Sequence, residues 1–439
     1  MNMFKGIQKF RSRVKGLFGQ FYRVPYCVPA WGWAEHWAIL KCFVTGRVIE
    51  GPHKEKLYAL VREMTGVKYV FGFNSGQEAI QAALMAGGIG KGDHVIMPSY
   101  CCETVAKAIL DTGATPLFCD IADDLNPDVD HVLRLLNPSV KAIIFPHLFG
   151  NPGRIDLLEK GLEEKGVRSQ ILLIDDAAQS FGAKLHGKHL GTFGDAGIIS
   201  FGPGKTMTAS GGGLLISSST KIAKQIVAVE TSSPSLEKKL WRLIYWIVFR
   251  RWRRYTLPFY RLLWRFLDSG DSGEQDVKRL SNVDAAIAIA QVQRHEALLD
   301  IRLWRKEILD DVMEKRFITT LRILKRNRAD SANLNVATKY IVAVDRKDDG
   351  SVMFEYNRVM EKLRVEIKPL YGPLHKDYRF DGGGTILPKT EARYEKILEI
   401  PIEPSIDEKT FQRLMSGILY WLESSVPQRG LDEYDVCHL

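Results

Sequence analysis

Ile171-Leu-Leu-Ile-Asp-Asp-Ala-Ala-Gln-Ser180, followed by Ser200-Phe-Gly-Pro-Gly-Lys205 and Gly211-Gly-Gly213, decides the fold. Four apolar residues ending on two aspartates read as a buried strand that delivers a carboxylate to the edge of a sheet. The next apolar run, 196–201, delivers a hydroxyl and then a lysine on a Gly-Pro-Gly turn, where glycine lets backbone approach a ligand closely. Outward from this pair, apolar runs of strand length recur at 69–73, 94–98, 116–121, 141–147 and 212–218. Helix-like segments at 77–86, 103–111, 128–136 and 156–164 separate most of them. That alternation predicts an α/β fold with a mostly parallel seven-stranded sheet covered on both faces, and sites in such sheets gather at the carboxyl ends of the strands. Beyond residue 280 the pattern changes: 284–315 reads as one long helix, and 338–344 with 350–363 as strand and helix of a smaller C-terminal α+β domain. The expected organisation is a basic aromatic arm at 1–45, a large domain at 46–290 with an insert at 236–268, a small domain at 291–425 and a tail at 426–439.

With 439 residues and 45% hydrophobic content the chain is long enough for two cores and too apolar for disorder. Six cysteines, Cys27, Cys42, Cys101, Cys102, Cys119 and Cys437, lack CxxC pairing or metal-type spacing, so neither a disulfide framework nor a metal site is expected, and a cytoplasmic setting fits. No signal-peptide pattern and no run of about 18 apolar residues is present. Of the net charge of +9, residues 1–25 hold +6 and residues 236–267 hold +8, which leaves −5 for the rest. A mildly acidic body with two basic segments argues against nucleic acid as partner.

The carboxylate, hydroxyl and lysine match the needs of pyridoxal 5'-phosphate, whose ring stores electrons best while its nitrogen stays protonated. A carboxylate beside that nitrogen favours the charged form, and Asp176 is placed to supply it. The cofactor aldehyde requires a lysine, here Lys205, to hold it as a Schiff base and to carry protons. Its phosphate requires N–H groups at a helix start, which Asn74-Ser75-Gly76-Gln77 offers, with Ser200 adding a hydroxyl.

These residues stand in a series of blocks: Thr45-Gly-Arg-Val-Ile-Glu-Gly-Pro52, Asn74-Ser-Gly76, Gly92-Asp-His-Val-Ile-Met-Pro98, Pro146-His-Leu-Phe-Gly150, Asp175-Asp-Ala-Ala-Gln179, Gly191-Thr-Phe-Gly-Asp195, the lysine turn, Arg279-Leu-Ser281 and Pro373-Leu-His375. In that order they resemble the DegT/StrS family of sugar aminotransferases, a branch of the fold type I pyridoxal phosphate enzymes, from about residue 46 to about residue 422. The resemblance implies that Asp176 pairs with the pyridinium nitrogen, Gln179 contacts the ring hydroxyl, Gly76 and Ser200 hold phosphate, and Lys205 bonds the cofactor. It further implies a homodimer acting on a keto group of a nucleotide-linked sugar, with an amino acid as donor, in amino-sugar or surface polysaccharide biosynthesis. Relatives that dehydrate sugars carry histidine in place of the lysine, so Lys205 points to transamination; a dehydratase, or a weakly catalytic membrane-associated scaffold of the same fold, is the alternative.

Several positions depart from the family pattern. Gln77 replaces a threonine hydroxyl at the phosphate, and its amide offers a substitute donor. Cys102 occupies the position of the aromatic residue that stacks on the ring, which leaves that work to a thiol or to a shifted Tyr100. Thr206 follows the lysine, and Val277 stands where an asparagine reaches the neighbouring subunit's phosphate. His147 and His375 fall in family-like blocks and are read as packed or positioning residues.

The insert places Arg250 with Arg254, and Arg261 with Arg265, on shared helix faces opposite Leu, Phe and Trp. Phe4, Ile7, Phe10, Val14, Leu17 and Phe21 repeat the pattern at the N-terminus. Three readings stand side by side: peripheral contact with a membrane surface through 1–25 and 236–267, packed helices, or arginines that bind a diphosphate.

Overall fold

The computed structural model describes residues 24, 27–249, 276–317, 321–323, 333–344, 352–365, 371–380, 384–394 and 396–425. Seven strands form the main sheet: β1 (Tyr69–Phe73), β2 (His94–Pro98), β3 (Thr115–Cys119), β4 (Val140–Pro146), β5 (Leu172–Asp176), β6 (Ala196–Ser200) and β7 (Gly213–Ser217). Their order is β1-β7-β6-β5-β4-β2-β3, and only β7 runs against its neighbours. Each lies within two residues of its expected bounds.

Because side chains alternate across a strand, neighbouring residues feed opposite cores. Ile144, Ile174, Ile198 and Leu215 pack with Ala79, Ile80, Val105 and Ile109 of the helices Gly76–Ala86 and Glu103–Leu110. Ile143 and Leu173 face Leu158 and Leu162 of Ile155–Glu164 on the other side. Ile199, Leu214 and Ile216 meet Val283 and Ile287 of the helix Asn282–Gln293. A strand buried on both faces explains why these runs are continuously apolar. Among the helices, α1 (Trp33–Val44), α2 (Gly76–Ala86), α3 (Glu103–Leu110), α4 (Leu236–Ile244), α5 (Asn282–Gln293) and α6 (His295–Phe317) bear on the site.

The long helix expected over 284–315 is two helices, α5 and α6, broken at Arg294. There the backbone leaves helical geometry at φ −109° and ψ 7°, and the Arg294 guanidinium donates to both oxygens of the buried Glu35 on α1, each at 2.8 Å. Leu321–Ile323, Tyr340–Val344 and Ile397–Ile400 form a second, antiparallel sheet. Met313, Met360, Phe411 and Ile418, from helices α6, Val352–Lys362 and Glu408–Ser425, close its core. Within the insert, α4 and the turn Tyr245–Phe249 pack inward through Leu243, Tyr245 and Trp246. Residues 1–23 and 250–275, which hold most of the basic charge ascribed to a membrane contact, lie outside the described residues.

Candidate active site

The carboxyl ends of β1, β5 and β6 and the start of β7 lie along one edge of the sheet, because β7 runs opposite to its neighbours. Gly213 pairs with Phe73 on one side and with Ser200 on the other. Ser75 bridges Gly212, whose N–H donates to the Asn74 carbonyl at 2.7 Å. Four segments far apart in sequence, at 74–77, 176–179, 200–206 and 211–213, thereby converge.

Ser75 caps α2. Its hydroxyl accepts from Glu78 N at 3.1 Å and donates to the Glu78 carboxylate at 2.9 Å, a reciprocal cap that fixes the helix start. The Gly76 backbone faces Ser200: a β-carbon at Gly76 would stand 3.0 Å from Ser200 Cβ and 3.1 Å from its Oγ. Only glycine leaves that space open, and a helix start presents N–H groups its own turns do not satisfy. Gln77 turns its amide away to Asp111, at 3.2 Å, so what it offers the cradle is backbone.

Asp175 and Asp176 divide two duties. Asp175 is fully buried and accepts from Gly191 N at 2.6 Å, Phe193 N at 3.0 Å and His147 Nε2 at 2.9 Å. Since Gly153 N donates to His147 Nδ1 at 2.9 Å, both ring nitrogens are committed to the scaffold. Asp176, also buried, accepts from Ala178 N at 2.9 Å through one oxygen, while the other has no partner among the described residues. Burial pushes its carboxyl above the usual carboxylate range, and the Ala178 N–H and the Lys205 ammonium pull in the opposite direction. Asp176 and Lys205 thus share one electrostatic environment.

The lysine turn is gripped from behind. Arg302 on α6 donates through Nη2 to the Thr206 carbonyl at 3.1 Å, and Thr206 itself is buried. Burial draws the Arg302 guanidinium down to about 10, and its Nε and Nη1 have no partner among the described residues. Gly204 adopts φ +73°, and a β-carbon there would meet Cys27 Sγ at 2.6 Å, so that position is closed to any side chain.

At the ring position Cys102 is half-buried at the start of α3, its thiol 3.1 Å from Thr104 Oγ1. Tyr100 is wholly buried and stands edge-on to Tyr371, with ring centroids 5.6 Å apart, so it belongs to the core. Cys101, which the sequence did not single out, is buried, and its thiol is pushed well up by burial and then by the charge of Asp176. Gln179 accepts from Phe149 N at 3.2 Å and donates to the Tyr371 hydroxyl at 2.9 Å. Phe149 stacks on Tyr371 at 6.0 Å, so a C-terminal aromatic joins the site. His375 links Ser99, at 2.6 Å, to Glu391, at 3.1 Å. Val277 is buried in the core and offers no polar group.

The insert also reaches this edge. Lys239 on α4 is buried, donates to Asp284 and to Asn74 Oδ1 at 3.3 Å, and is lowered mainly by burial. Asp284 accepts as well from Ser210 and, at 2.6 Å, from Ser281. One turn further along, Arg242 Nη1 would lie 2.9 Å from a β-carbon at Gly211.

A sheet of this order, carrying a carboxylate, a lysine and a helix start on one edge, is the fold of the type I pyridoxal phosphate-dependent transferases. The chain belongs to the DegT/DnrJ/EryC1/StrS aminotransferase family, whose model matches residues 34–419, and is an aminotransferase. Among solved structures it is similar to the aminotransferase TlmJ from Streptoalloteichus hindustanus, at 24% identity and TM-score 0.73 over 91% of this chain and 99% of that one. PseC of Helicobacter pylori, an aminotransferase involved in the biosynthesis of pseudoaminic acid, is 16% identical over 92% of this chain and 100% of that one, at TM-score 0.71. The putative sugar aminotransferase Spr1654 of Streptococcus pneumoniae, solved in a PLP form, is 18% identical over 92% and 100%, at TM-score 0.71. At these identities the likeness establishes the fold.

Proposed function

We propose that the protein uses pyridoxal 5'-phosphate to place an amino group on a keto carbon of a nucleotide-linked sugar, with glutamate or glutamine as donor. The observation that carries this is the convergence of the capped helix start at Ser75–Gly76, the buried carboxylate of Asp176 and the Lys205 turn on one sheet edge. The residues present fit the cofactor: Gly76 and Ser200 leave a gap that a β-carbon would close, and one oxygen of Asp176 has no donor among the described residues. When bound, pyridoxal phosphate supplies an electron sink for the carbon that loses its proton.

Around it each residue has one task. Asp176 keeps a cation at the ring nitrogen, where burial strengthens the pairing. Gly76, Gln77 and Ser200 hold the phosphate with backbone N–H and hydroxyl. Gln179 would offer its amide to the ring hydroxyl, and Cys102 would supply the side chain facing the ring. Lys205 Nζ would hold the cofactor covalently, and its amine, once free, would serve as the acid–base group that moves the substrate proton.

In this reading the enzyme is a homodimer at the cytoplasmic face of a membrane, held there by the basic segments 1–25 and 236–267. The chain divides into the arm 1–45, the large domain 46–290, the small domain 291–425 and the tail 426–439. Single-turnover spectra test the proposal. Glutamate is expected to convert the cofactor to its amine form, and one of a panel of nucleotide keto-sugars to reverse the change. Dehydration of the sugar, or no conversion at all, would overturn it.

A further inference from the structure

Helix α1 is apolar on two opposite faces. Ile39 and Cys42 are buried in the core shared with α5, and the helix's one acid, Glu35, is buried beside them against Arg294. With 3.6 residues per turn, Trp33, Trp37, Leu40 and Val44 fall in a single line on the far side. They are 82%, 46%, 48% and 79% exposed. A helix hydrophobic all round belongs inside a protein or against an apolar phase. Large contiguous exposed apolar surface marks an interaction site.

The polar residues beside this line are all basic or neutral. Lys41 stands 5.4 Å from the Trp37 ring centroid, and His36 and Arg47 are exposed. The insert lies next to this helix: Trp31, just ahead of α1 and turned toward the core, packs on the buried Trp246 with centroids 6.2 Å apart. Soon after Trp246 the sequence enters Arg250, Arg251, Arg253, Arg254, Arg261 and Arg265, with no acid before Asp268. Tryptophans beside cations, on a helix with no exposed acid of its own, suit the boundary between acyl chains and anionic headgroups. A second copy suits this face poorly, because a twofold contact would bring its cations against one another.

We propose that the outer face of α1 seats on an anionic lipid bilayer, its two indoles at headgroup depth and Lys41 and Arg47 on lipid phosphates. This rests on the peripheral-membrane reading above and adds a folded surface to the two basic segments. The test is sedimentation of the full chain with phosphatidylcholine vesicles, with or without phosphatidylglycerol. Wild-type protein, Trp33→Ser/Trp37→Ser and Lys41→Glu/Arg47→Glu are compared, with melting temperature and sedimentation-velocity mass measured alongside. The tryptophan variant is expected to partition about tenfold more weakly at unchanged mass and melting temperature. The charge-reversed variant should lose binding to anionic vesicles selectively. Equal binding by wild type and the tryptophan variant would overturn the inference and leave the basic segments as the contact. A fall in mass in that variant would overturn it in favour of a second copy. Failure of the wild type to sediment with any vesicle would overturn the membrane reading as a whole.

Discussion

Asp176 carries a charge that burial opposes and that a bound cation at the cofactor's ring nitrogen would offset, so Asp176→Asn should separate stability from function. The native carboxyl titrates above its unfolded value of 3.8 because it is buried. The folded state therefore holds the proton longer than the unfolded chain does. The stabilisation this gives is complete below the unfolded value and is lost as pH rises through the folded one. Above that folded value, cofactor-free protein holds Asp176 as a buried carboxylate with one oxygen that no described residue donates to. Asparagine removes the charge and keeps an acceptor for Ala178 N. Relief of an unsatisfied buried group is worth about 1–3 kcal/mol. At about 2.1 cal/mol/K per residue, a cooperative unfolding of this chain has an entropy of about 0.9 kcal/mol/K, so the cofactor-free variant should melt about 1–3 °C higher. The gain should shrink as pH falls through the raised folded value, where wild type is protonated as well. Loaded with cofactor, the same variant should turn over glutamate about 100-fold more slowly or worse. Calorimetry of both cofactor-free proteins across pH is the assay. A variant that melts no higher than wild type anywhere across the pH range, or a difference indifferent to acid, would refute the reasoning.

Gly76→Ala places a β-carbon 3.0 Å from Ser200 Cβ and 3.1 Å from its hydroxyl, and equilibrium dialysis should show about tenfold weaker cofactor binding. Affinity equal to wild type would mean that the phosphate lies elsewhere. Arg302→Met removes a buried charge, two of whose nitrogens are unpartnered among the described residues, together with the hydrogen bond to Thr206, so the free energy of urea unfolding should change little, by about 1 kcal/mol or less. Turnover should nevertheless fall at unchanged cofactor content, since the turn bearing Lys205 loses its anchor. Lys239→Met leaves Asp284 buried with only hydroxyl donors, at an expected cost of about 3–5 kcal/mol in urea unfolding. The double variant Lys239→Met/Asp284→Asn should recover at least half of that loss.

The parts of the site that lie within one turn of a strand end were legible in the sequence. Asp176, the Ser75–Gly76 start and the Lys205 turn each follow an apolar run whose period fixes where it stops, so the sheet edge is readable from the sequence. What joins them was not legible, because it depends on pairs far apart in the chain: Gln179 with Tyr371, Arg302 with Thr206, Lys239 with Asn74. The break at Arg294 escaped because apolar periodicity runs through it, and only the ion pair with Glu35 and the backbone angle reveal it. Tyr100 read as a spare ring for the cofactor, yet packing against Phe149 and Tyr371 claims it for the core. Helix α1 shows the converse: the sequence reading places it within the basic aromatic arm 1–45 without separating its faces, and only the fold shows which face is packed and which is exposed.

Borohydride reduction of the cofactor-loaded protein, followed by peptide mass spectrometry, tests the central claim most directly. A phosphopyridoxyl group on the peptide containing Lys205, absent in Lys205→Ala, is the predicted result. A label on another lysine, or none in folded wild-type protein that has been given the cofactor, would contradict the account.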